Sequence, residues 1–388
     1  MKKQSICVCG TGIAGLACAL ALTRAGFDPV LLGPRTDPDP DPGDTYHPRV
    51  YAISPSSQQF LEQLGVWKLM DHRRVTPVEG MEIYGDGDGV VHLHAWQAAQ
   101  PELAWIVESG EMERALLQAI QVYGIRWHAE KFQRMEGASV VTDTDRQIPF
   151  DLLVGADGAR SSVREAARIR HWCEPYGDTG LVAHFTSEQP HQNIAPQWFT
   201  GDSVLALLPM PDTAQGHQVS MVWSMPADQA KALQGMPDDQ LDQELDVRLQ
   251  SATGGRMGRL QRRSPLFGFP LTLEKSDMVA PGVALVSDAA HRVHPLAGQG
   301  LNLGLGDVEE LVAILAAKES WRSVGDTRVL QRYRRRRAEP IFEMRAATDG
   351  LHRLFATRAA PVVWARNTGM RLVDRLPFAK RLLISRAR

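Results

Sequence analysis

Three glycines near the beginning of the chain have the spacing of a phosphate-binding turn. Gly10, Gly12 and Gly15 form a Gly-x-Gly-x-x-Gly sequence between an apolar run and an Ala/Leu-rich run. In a strand–turn–helix unit, the first glycine permits the tight turn, the second lets backbone approach a pyrophosphate, and the third lets helix and strand pack closely. N–H groups of the first helical turn, which would contain Ile13 and Ala14, would also face the phosphates. The pattern therefore predicts a dinucleotide site.

The next predicted strand, residues 29–32, departs from this pattern where it ends. An acidic residue that binds ribose usually stands about 20 residues after the glycines, whereas this chain has Gly33 there. Arg35 follows, and it is compatible either with a phosphate contact or with an ordinary surface position. The Asp-Pro alternation at 37–42 is predicted to be a solvated, extended loop. The sequence thus predicts that the adenosine ribose is bound differently or less tightly.

Two later segments also combine a buried strand with a polar turn. Residues 151–164 predict a strand that ends in a Gly/Asp turn at Asp157 and leads into a helix. Residues 282–287 predict another strand, and Asp288 follows it. Further on, Gly298, Gly300 and Gly304 permit close approach of backbone to a ligand. A helix that begins near Leu301 would direct its N–H groups at that ligand.

The histidines after Asp288 raise the alternative of a metal site. Asp288-x-x-His291-x-x-His294 superficially matches a site of two histidines and one carboxylate. Pro295 and the glycines after it indicate a loop, however, and not one face of a helix. The sequence therefore predicts no metal, and His291 and His294 are predicted to be turn residues.

Together, the three segments resemble those of the class A flavoprotein monooxygenases, and most closely the ubiquinone-biosynthesis hydroxylases. The order and spacing of the segments match, and the similarity covers nearly the whole chain. Further matching stretches are 48–54, 64–67, 105–108, 205–209, 222–224, 333–337, 348–351 and 354–355.

The resemblance implies a bound FAD and assigns residues to it. Gly10, Gly12 and Gly15 would hold the pyrophosphate, Arg49 would lie along the ribityl and phosphate portion, and Asp288 would accept the ribityl hydroxyls. Asp157 resembles a residue that serves both FAD and the reduced nicotinamide nucleotide. The loop beside the isoalloxazine would contain Gly298, Gln299, Gly300, Leu301 and Asn302, with His294 and Pro295 as candidates for a position near the flavin.

Three residues depart from the family pattern. Gly33 replaces the ribose-binding acid, and His47 stands where the family usually has aspartate two residues before the arginine. Both departures stand at positions that bear on FAD affinity. Ser287 stands where glycine usually precedes Asp288, and this is expected to be only a small change of side chain.

The resemblance also implies an α/β architecture of the para-hydroxybenzoate hydroxylase type. A Rossmann-like FAD-binding domain would comprise 1–75, 106–171 and 271–330, interleaved with a β-sheet substrate domain of 76–105 and 172–270, before C-terminal helices at 331–388. Segment 172–270 is predicted to lack helix–strand alternation and to form a sheet over the flavin. Six of its side chains either line an apolar substrate cavity or, as is favoured for each, pack in the sheet core: Trp198, Phe199, Leu207, Met210, Met221 and Trp223.

The activity implied is hydroxylation of a polyprenylated phenol or quinone precursor through a flavin C4a-hydroperoxide, with NADH or NADPH and O2. The chemistry needs no dedicated acid or base at the transferred oxygen, so no catalytic residue is assigned. Two alternatives stay open. The chain could be another flavin oxidoreductase on the same fold, or a non-catalytic, flavin-poor scaffold in a ubiquinone-biosynthesis assembly.

The composition excludes other classes of protein. The net charge of −2 over 388 residues argues against a nucleic-acid binder that acts by neutralising phosphates. Four cysteines without disulfide or metal spacing indicate a reducing compartment, so a cytoplasmic location is expected. The longest apolar runs are far below the ~18 residues of a membrane span.

The charge is unevenly distributed, because residues 321–388 contain 17 Lys or Arg against 5 Asp or Glu. Arg334–Arg337 and the apolar positions after them allow three interpretations. They could form the solvated face of a core helix, which is favoured. They could bind peripherally to an anionic inner membrane, or they could dock onto another enzyme of ubiquinone biosynthesis.

Overall fold

The computed structural model describes residues 4–35, 43–293, 299–357 and 359–386. Its strands are β1 (Ile6–Cys9), β2 (Pro29–Leu32), β3 (Val50–Ile53), β4 (Val75–Val78), β5 (Gly80–Tyr84), β6 (Val90–His94), β7 (Ala104–Glu108), β8 (Arg126–His128), β9 (Phe132–Glu136), β10 (Ser139–Thr142), β11 (Gln147–Pro149), β12 (Leu152–Gly155), β13 (His171–Ser187), β14 (Ile194–Thr200), β15 (Ser203–Thr213), β16 (Gly216–Pro226), β17 (Leu260–Arg262), β18 (Phe267–Ser276), β19 (Val279–Ala280), β20 (Val283–Leu285) and β21 (His291–Arg292). Its α-helices are α1 (Ile13–Arg24), α2 (Pro55–Gln63), α3 (Ser109–Val122), α4 (Ser162–Ala166), α5 (Ala227–Gln234), α6 (Asp238–Thr253), α7 (Gly300–Ala316), α8 (Thr327–Ala356), α9 (Ala360–Arg375) and α10 (Pro377–Arg386).

A six-stranded sheet with the order β19-β20-β12-β1-β2-β8 brings the three sequence motifs together. All its neighbouring pairs except β19–β20 are parallel. Every residue of β1, β2 and β12 is buried, as expected for a parallel sheet covered on both faces. Parallel strands end at the same edge, and β1, β12 and β20 are adjacent. The turns containing Gly10, Asp157 and Asp288 therefore lie side by side at this edge, which we call the cofactor edge.

A larger, mostly antiparallel sheet forms a second unit with the order β21-β18-β13-β16-β15-β14-β5-β6 and with β17 beside β13. Alternate side chains of its strands point to opposite faces. Leu181, Leu205 and Met221 point to the outer face, where Leu241 and Leu245 of α6 complete the core. We call the opposite face the inner face.

Segment 172–270 lacks helix–strand alternation, as predicted, but it contains two consecutive helices, α5 and α6, that the sequence analysis missed. The missed signal is in α6, where Leu241, Leu245 and Leu249 recur every fourth residue and are all buried. This spacing is typical of an amphipathic helix. The segment is polar in overall composition, however, because polar residues separate the leucines, and composition alone therefore does not indicate the helix.

A small sheet of β3, β7 and β4 lies between the two larger ones. Ala52 and Ile106 from this sheet pack against Met210 of the inner face. The Tyr46 hydroxyl donates to the carbonyl oxygen of Pro211 over 2.5 Å, and Nε2 of His184 lies 3.0 Å from the carbonyl oxygen of His47. The inner face thus packs against the segment that leads into β3.

The C-terminal helices contact both units. Helix α8 packs along α7, and the hydroxyl of Tyr333 donates to the carbonyl oxygen of Leu285 at the end of β20. At its other end, Tyr176 of β13 donates to Oδ1 of Asp349 over 2.5 Å. Among the helices of the described residues, none combines the length and apolar character needed to cross a membrane.

Candidate active site

The first turn of the cofactor edge contains two glycines that the packing requires. Gly10 has a φ of +117°, and a Cβ there would lie 2.2 Å from the carbonyl oxygen of Ala156. A Cβ on Gly15 would lie 2.0 Å from the carbonyl oxygen of Gly10. In contrast, apart from Gly12 itself and its two chain neighbours, no atom of the described residues lies within 4 Å of a Cβ built on Gly12. Open space therefore faces the N-terminus of α1, which fits the approach of a phosphate.

At the end of β2, Gly33 stands where a ribose-binding acid would be expected, and the side chain of Thr11 packs against it. Gly33 has a φ of +150°, and a Cβ there would lie 2.8 Å from Cγ2 of Thr11. The Thr11 hydroxyl donates to the carbonyl oxygen of Pro34 over 2.8 Å. The guanidinium of Arg35 lies over the ring of Trp127, 5.6 Å from its centroid. A cation–π contact thus accounts for the position of Arg35 in the structure.

The second turn uses the Asp157 carboxylate to begin a helix. Oδ1 accepts from the Ser161 hydroxyl at 2.5 Å, and Oδ2 accepts from the N–H of Val163 at 3.1 Å, so both oxygens bind the start of α4. Buried Arg164 donates to the carbonyl oxygens of Ala159 at 2.7 Å and Ala289 at 2.9 Å. Arg164 therefore joins the second turn to the third, a role that sequence reasoning missed.

The third turn begins at Ser287, in a short 3₁₀ helix, Ser287–Ala289. Ser287 has a φ of +57°, and a Cβ on Gly304 of α7 would lie 2.4 Å from its Oγ. The expectation that serine here is only a small change is therefore wrong. Glycine adopts this left-handed conformation freely, whereas another residue does so at a cost of about 1 kcal/mol.

Asp288 lies half-exposed at the cofactor edge beside cationic side chains. Its Oδ2 lies 3.8 Å from Nε of Arg292. Burial raises the pKa of the Asp288 carboxyl, while Arg292, His291 and Arg49 act in the opposite direction. A carboxylate in this setting can accept hydrogen bonds from hydroxyl groups while its charge is balanced by its neighbours.

Behind this turn lies a fully buried carboxylate, Asp307 of α7. Its Oδ2 accepts from the N–H of Ser287 at 2.9 Å and from Nε2 of His291 at 2.7 Å, and its Oδ1 accepts from Nε of Arg337 at 2.6 Å. Burial alone would raise the pKa of this carboxyl, but His291 and Arg337 hold it below its usual value. The missed signal was an acid on the apolar face of α7, four residues from both Leu303 and Leu311, because a carboxylate buried on such a face calls for a partner.

This cluster corrects two sequence predictions. His291 is not a turn residue but a buried member of β21. The Arg334–Arg337 run is not uniformly solvated, because Arg337 is buried while the other three are exposed. In the part of the chain that the structure describes, no group of three His, Cys, Asp or Glu side chains could hold a metal.

The start of α7 faces the cofactor edge and is fixed by Asn302. The side-chain oxygen of Asn302 accepts from the N–H of Ser54 at 3.0 Å, and its nitrogen donates to the carbonyl oxygen of Ala52 at 2.8 Å and to Oε1 of Gln299 at 3.1 Å. Leu301 is buried, and a Cβ on Gly300 would meet no described atom within 4 Å. The predicted residues His294, Pro295 and Gly298 lie outside the described residues.

Comparison with known proteins shows the family to which the chain belongs. The family described as "FAD binding domain" matches residues 3–346. The ubiquinone hydroxylase UbiL of Rhodospirillum rubrum is 32% identical, over 100% of this chain and 90% of its own. The 3-demethoxyubiquinol 3-hydroxylase of Escherichia coli is 31% identical, over 98% and 97%. The chain belongs to this family of FAD-dependent monooxygenases.

The fold agrees with that membership. The crystal structure of PqsL, a probable FAD-dependent monooxygenase from Pseudomonas aeruginosa, superposes with a TM-score of 0.75 at 22% identity and covers 95% of this chain and 99% of its own. The residues of this flavoprotein also fit FAD. The open space at Gly12 suits the pyrophosphate, and the half-exposed Asp288 carboxylate suits the hydroxyls of a ribityl chain.

His47, where the family usually has aspartate, makes polar contacts with Ser109 and Glu108 in this flavoprotein. Its Nδ1 lies 2.6 Å from the hydroxyl of Ser109. Its backbone N–H donates to Oε2 of Glu108 over 2.6 Å, and Glu108 also pairs with Arg74 at 2.6 Å. Burial raises the pKa of the Glu108 carboxyl, and its contacts with His47 and Arg74 oppose that rise. The Glu108 carboxylate therefore links the backbone of His47 to the guanidinium of Arg74.

The structure separates the six predicted cavity residues of the flavoprotein into two groups. Four of them belong to the outer-face core beneath α5 and α6: Trp198, Leu207, Met221 and Trp223. The other two lie on the inner face, where Met210 packs near β3 and Phe199 packs against Phe355 of α8. Sequence alternation along each strand could have separated the groups but could not say which face meets the cofactor domain.

A row of apolar inner-face residues was missed. Phe267, Val182, Val222 and Ala206 are cross-strand neighbours on β18, β13, β16 and β15. Directly opposed residues of antiparallel strands point to the same face. Val182 and Val222 are half-buried and Phe267 is exposed. The row gives the inner face an apolar strip that is not fully covered by the protein itself.

Proposed function

We propose that this flavoprotein hydroxylates the ring of a polyprenylated phenol or quinone precursor, with O2 and either NADH or NADPH as co-substrates. The names of its relatives support hydroxylation in ubiquinone biosynthesis. The observation that carries the proposal is the apolar row Phe267, Val182, Val222 and Ala206, which offers a water-poor surface to an apolar substrate. The inner face that contains it packs against β3, and Asn302 ties β3 to the start of α7.

Different residues of the cofactor edge bind different parts of FAD in this proposal. We assign the pyrophosphate to Gly10, Gly12 and Gly15, the ribityl hydroxyls to Asp288, and the phosphate portion to Arg49. FAD, when bound, would pass electrons from the nicotinamide nucleotide to O2, which is the source of the transferred oxygen atom. The N–H groups at Gly300 and Leu301 begin a helix of 17 residues, so the positive end of its dipole stabilises negative charge on a ligand there. Apolar inner-face residues keep water from that ligand.

The test begins with the colour and reduction of the purified protein. A yellow protein should be reduced anaerobically by NADH or NADPH, and 2-farnesylphenol should accelerate that reduction. In air, the farnesylphenol should gain one oxygen atom by mass spectrometry. A colourless protein that cannot be reconstituted with FAD would contradict the proposal and favour the scaffold alternative.

We assign this flavoprotein a peripheral position on an anionic membrane, through its C-terminal helices. Large apolar side chains are exposed along α8, α9 and α10: Leu351, Leu354, Trp364, Leu372, Leu376, Phe378, Leu382 and Leu383. Trp364 and Phe378 are 69% and 78% exposed. Exposed cations accompany them: Arg353, Arg371, Arg375 and Arg381. Apolar insertion combined with about 1 kcal/mol per cation near anionic lipid supports this location.

Helix α9 is held so that its apolar side chains stay outside. Arg366 pairs with Asp86 and donates to the carbonyl oxygens of Phe355 and Thr357. The side-chain oxygen of Asn367 accepts from the N–H of Gly89 at 3.1 Å. These buried contacts fix the opposite side of α9 to the turn between β5 and β6, so Trp364 and Leu372 cannot turn inward without breaking them.

Vesicle flotation tests this location. The full chain should float with vesicles of phosphatidylglycerol and less with vesicles of phosphatidylcholine. A variant with Trp364→Ser, Leu372→Ser and Phe378→Ser should lose flotation. Trp321→Ser, which removes an equally exposed tryptophan between α7 and α8, should keep it. Equal flotation of the two variants would contradict the membrane assignment and favour docking to a partner enzyme.

A further inference from the structure

Two directly opposed residues on neighbouring strands each have a buried polar atom without a hydrogen-bond partner in the described part of the chain. His184 of β13 and Ser220 of β16 are directly opposed in register, and their side chains are 2% and 0% exposed. Within the described residues, neither Nδ1 of His184 nor Oγ of Ser220 has a hydrogen-bond partner. An unsatisfied buried polar group costs about 1–3 kcal/mol. Two such groups side by side therefore indicate a ligand that satisfies both.

These atoms lie on the inner face, next to the apolar row. His184 and Ser220 are each two residues along their strands from Val182 and Val222, so they point to the same face. The neighbour of Ser220 on β15 is Leu208, which packs with Ala52 of β3. The pair is thus a polar position in an otherwise apolar interface with the cofactor unit, which is the usual construction of a site for an apolar ligand.

The facing wall of this interface supplies a third unpaired hydroxyl. Thr76 is opposite Ile106, and Ile106 is opposite Ala52, so all three point to one face of the small sheet. Ala52 and Ile106 pack towards the inner face. The Thr76 hydroxyl is buried and has no partner among the described residues. Unsatisfied polar atoms therefore occur on both walls of the same interface.

The contacts of His184 determine which hydrogen bonds the pair can make. Nε2 of His184 faces the carbonyl oxygen of His47, so Nε2 carries the proton and donates. Burial lowers the pKa of His184, which favours the neutral ring and leaves Nδ1 as an acceptor. The Ser220 hydroxyl can donate. An acceptor and a donor at neighbouring positions complement a group that both donates and accepts, such as a hydroxyl on a ring.

We propose that His184 and Ser220 bind the phenolic hydroxyl of the substrate: its O–H donates to Nδ1 of His184, and its oxygen accepts from the Ser220 hydroxyl. The assignment rests on the proposed function, because it names the polar group of the same substrate. The bond to Nδ1 increases electron density on the phenolic oxygen, and the bond from Ser220 fixes the position of that oxygen. The prenyl chain then extends along the apolar row.

A pair of ligands that differ only at this hydroxyl provides the test. Binding of 2-farnesylphenol and of its methyl ether, 2-farnesylanisole, is measured by the perturbation of flavin absorbance in the oxidised holoenzyme. Wild-type protein should bind the phenol at least about tenfold more tightly than the ether, because the ether cannot donate to Nδ1.

Two variants remove one partner each. His184→Gln keeps a donor for His47 but lacks the Nδ1 acceptor, and Ser220→Ala lacks the hydroxyl. Each should lower the preference for the phenol to about twofold or less while flavin content and circular dichroism stay unchanged. Ser224→Ala is the matched control, because Ser224 is a buried serine on the same strand and face that should not alter the preference.

The outcomes separate this assignment from the proposed function. If wild-type protein binds neither ligand, the substrate class fails and the assignment fails with it. If the phenol binds but both variants keep the full preference, only the assignment is overturned. Equal binding of phenol and ether to wild-type protein also overturns it, since a bridging water would then satisfy the pair.

Discussion

Nε of Arg337 lies 2.6 Å from Oδ1 of Asp307, and this buried ion pair joins α8 to α7 directly behind the Ser287–Ala289 turn. A second contact from α8, between Tyr333 and the carbonyl oxygen of Leu285, lies one helical turn away. The long C-terminal helix thus supports the segment that presents Asp288. Residues far from the glycine motifs therefore control the shape of the cofactor edge.

Replacing Arg337 should destabilise the protein strongly. Arg337→Met leaves the Asp307 carboxylate buried with a lost partner, and breaking a buried pair in this way costs about 3–5 kcal/mol. Urea unfolding of the full chain measures the free energy of unfolding. Arg336→Met is the control, since Arg336 is exposed and should change stability by less than about 0.5 kcal/mol. Equal losses in the two variants would refute the role given to the pair.

Ser287→Gly should stabilise the protein by about 1 kcal/mol, because glycine adopts the left-handed conformation at this position without strain. Gly304→Ala should destabilise, since its methyl group would meet the Ser287 side chain. Combining the two substitutions should recover part of that loss, because the Ser287 side chain is then absent. Thermal unfolding of the wild-type protein, the two single variants and the double variant gives the coupling free energy between positions 287 and 304. Strictly additive effects would count against the contact between Ser287 and Gly304.

Two glycines of the first turn should respond differently to the same substitution. Gly10→Ala should prevent stable folding, because the methyl group would overlap the Ala156 carbonyl. Gly12→Ala should fold normally but bind FAD about tenfold or more weakly, since the methyl group enters the space where the pyrophosphate approaches. Circular dichroism and titration with FAD distinguish these effects. Unchanged FAD affinity in Gly12→Ala would contradict the assigned position of the pyrophosphate.

The stability of the protein should depend on pH through His184. Burial lowers the pKa of His184 below its usual 6.5, so the unfolded chain takes up the proton first as the pH falls. Above about pH 6.5, His184 is neutral in both states and its contribution to the free energy of unfolding is complete. Below that pH the contribution is lost, and the free energy of unfolding falls by up to about 1.4 kcal/mol per pH unit. Wild-type protein should therefore lose more stability than His184→Gln between pH 7 and 5.5. Urea unfolding at each pH gives the free energy of unfolding of both proteins. Equal losses of that free energy in the two proteins over this pH range would exclude the contribution of His184.

Much of the cofactor edge could be predicted from local sequence. A glycine turn is recognisable because Gly10 and Gly15 satisfy constraints of a single strand–turn–helix unit. Predicted strand 29–32 coincides with β2, because a short apolar run between a glycine and a polar loop has few other solutions. The prediction failed for α6, whose three buried leucines are separated by polar residues.

The sequence by itself determined the family, the cofactor and the three turns, because these depend on residue types at short spacing. Only the tertiary structure decided which of four consecutive arginines is buried, that Asp307 and His291 meet, and which face of the large sheet contains His184 and Ser220. These outcomes depend on contacts between segments distant in sequence. Their free energies come from burial and charge pairing that no local pattern contains.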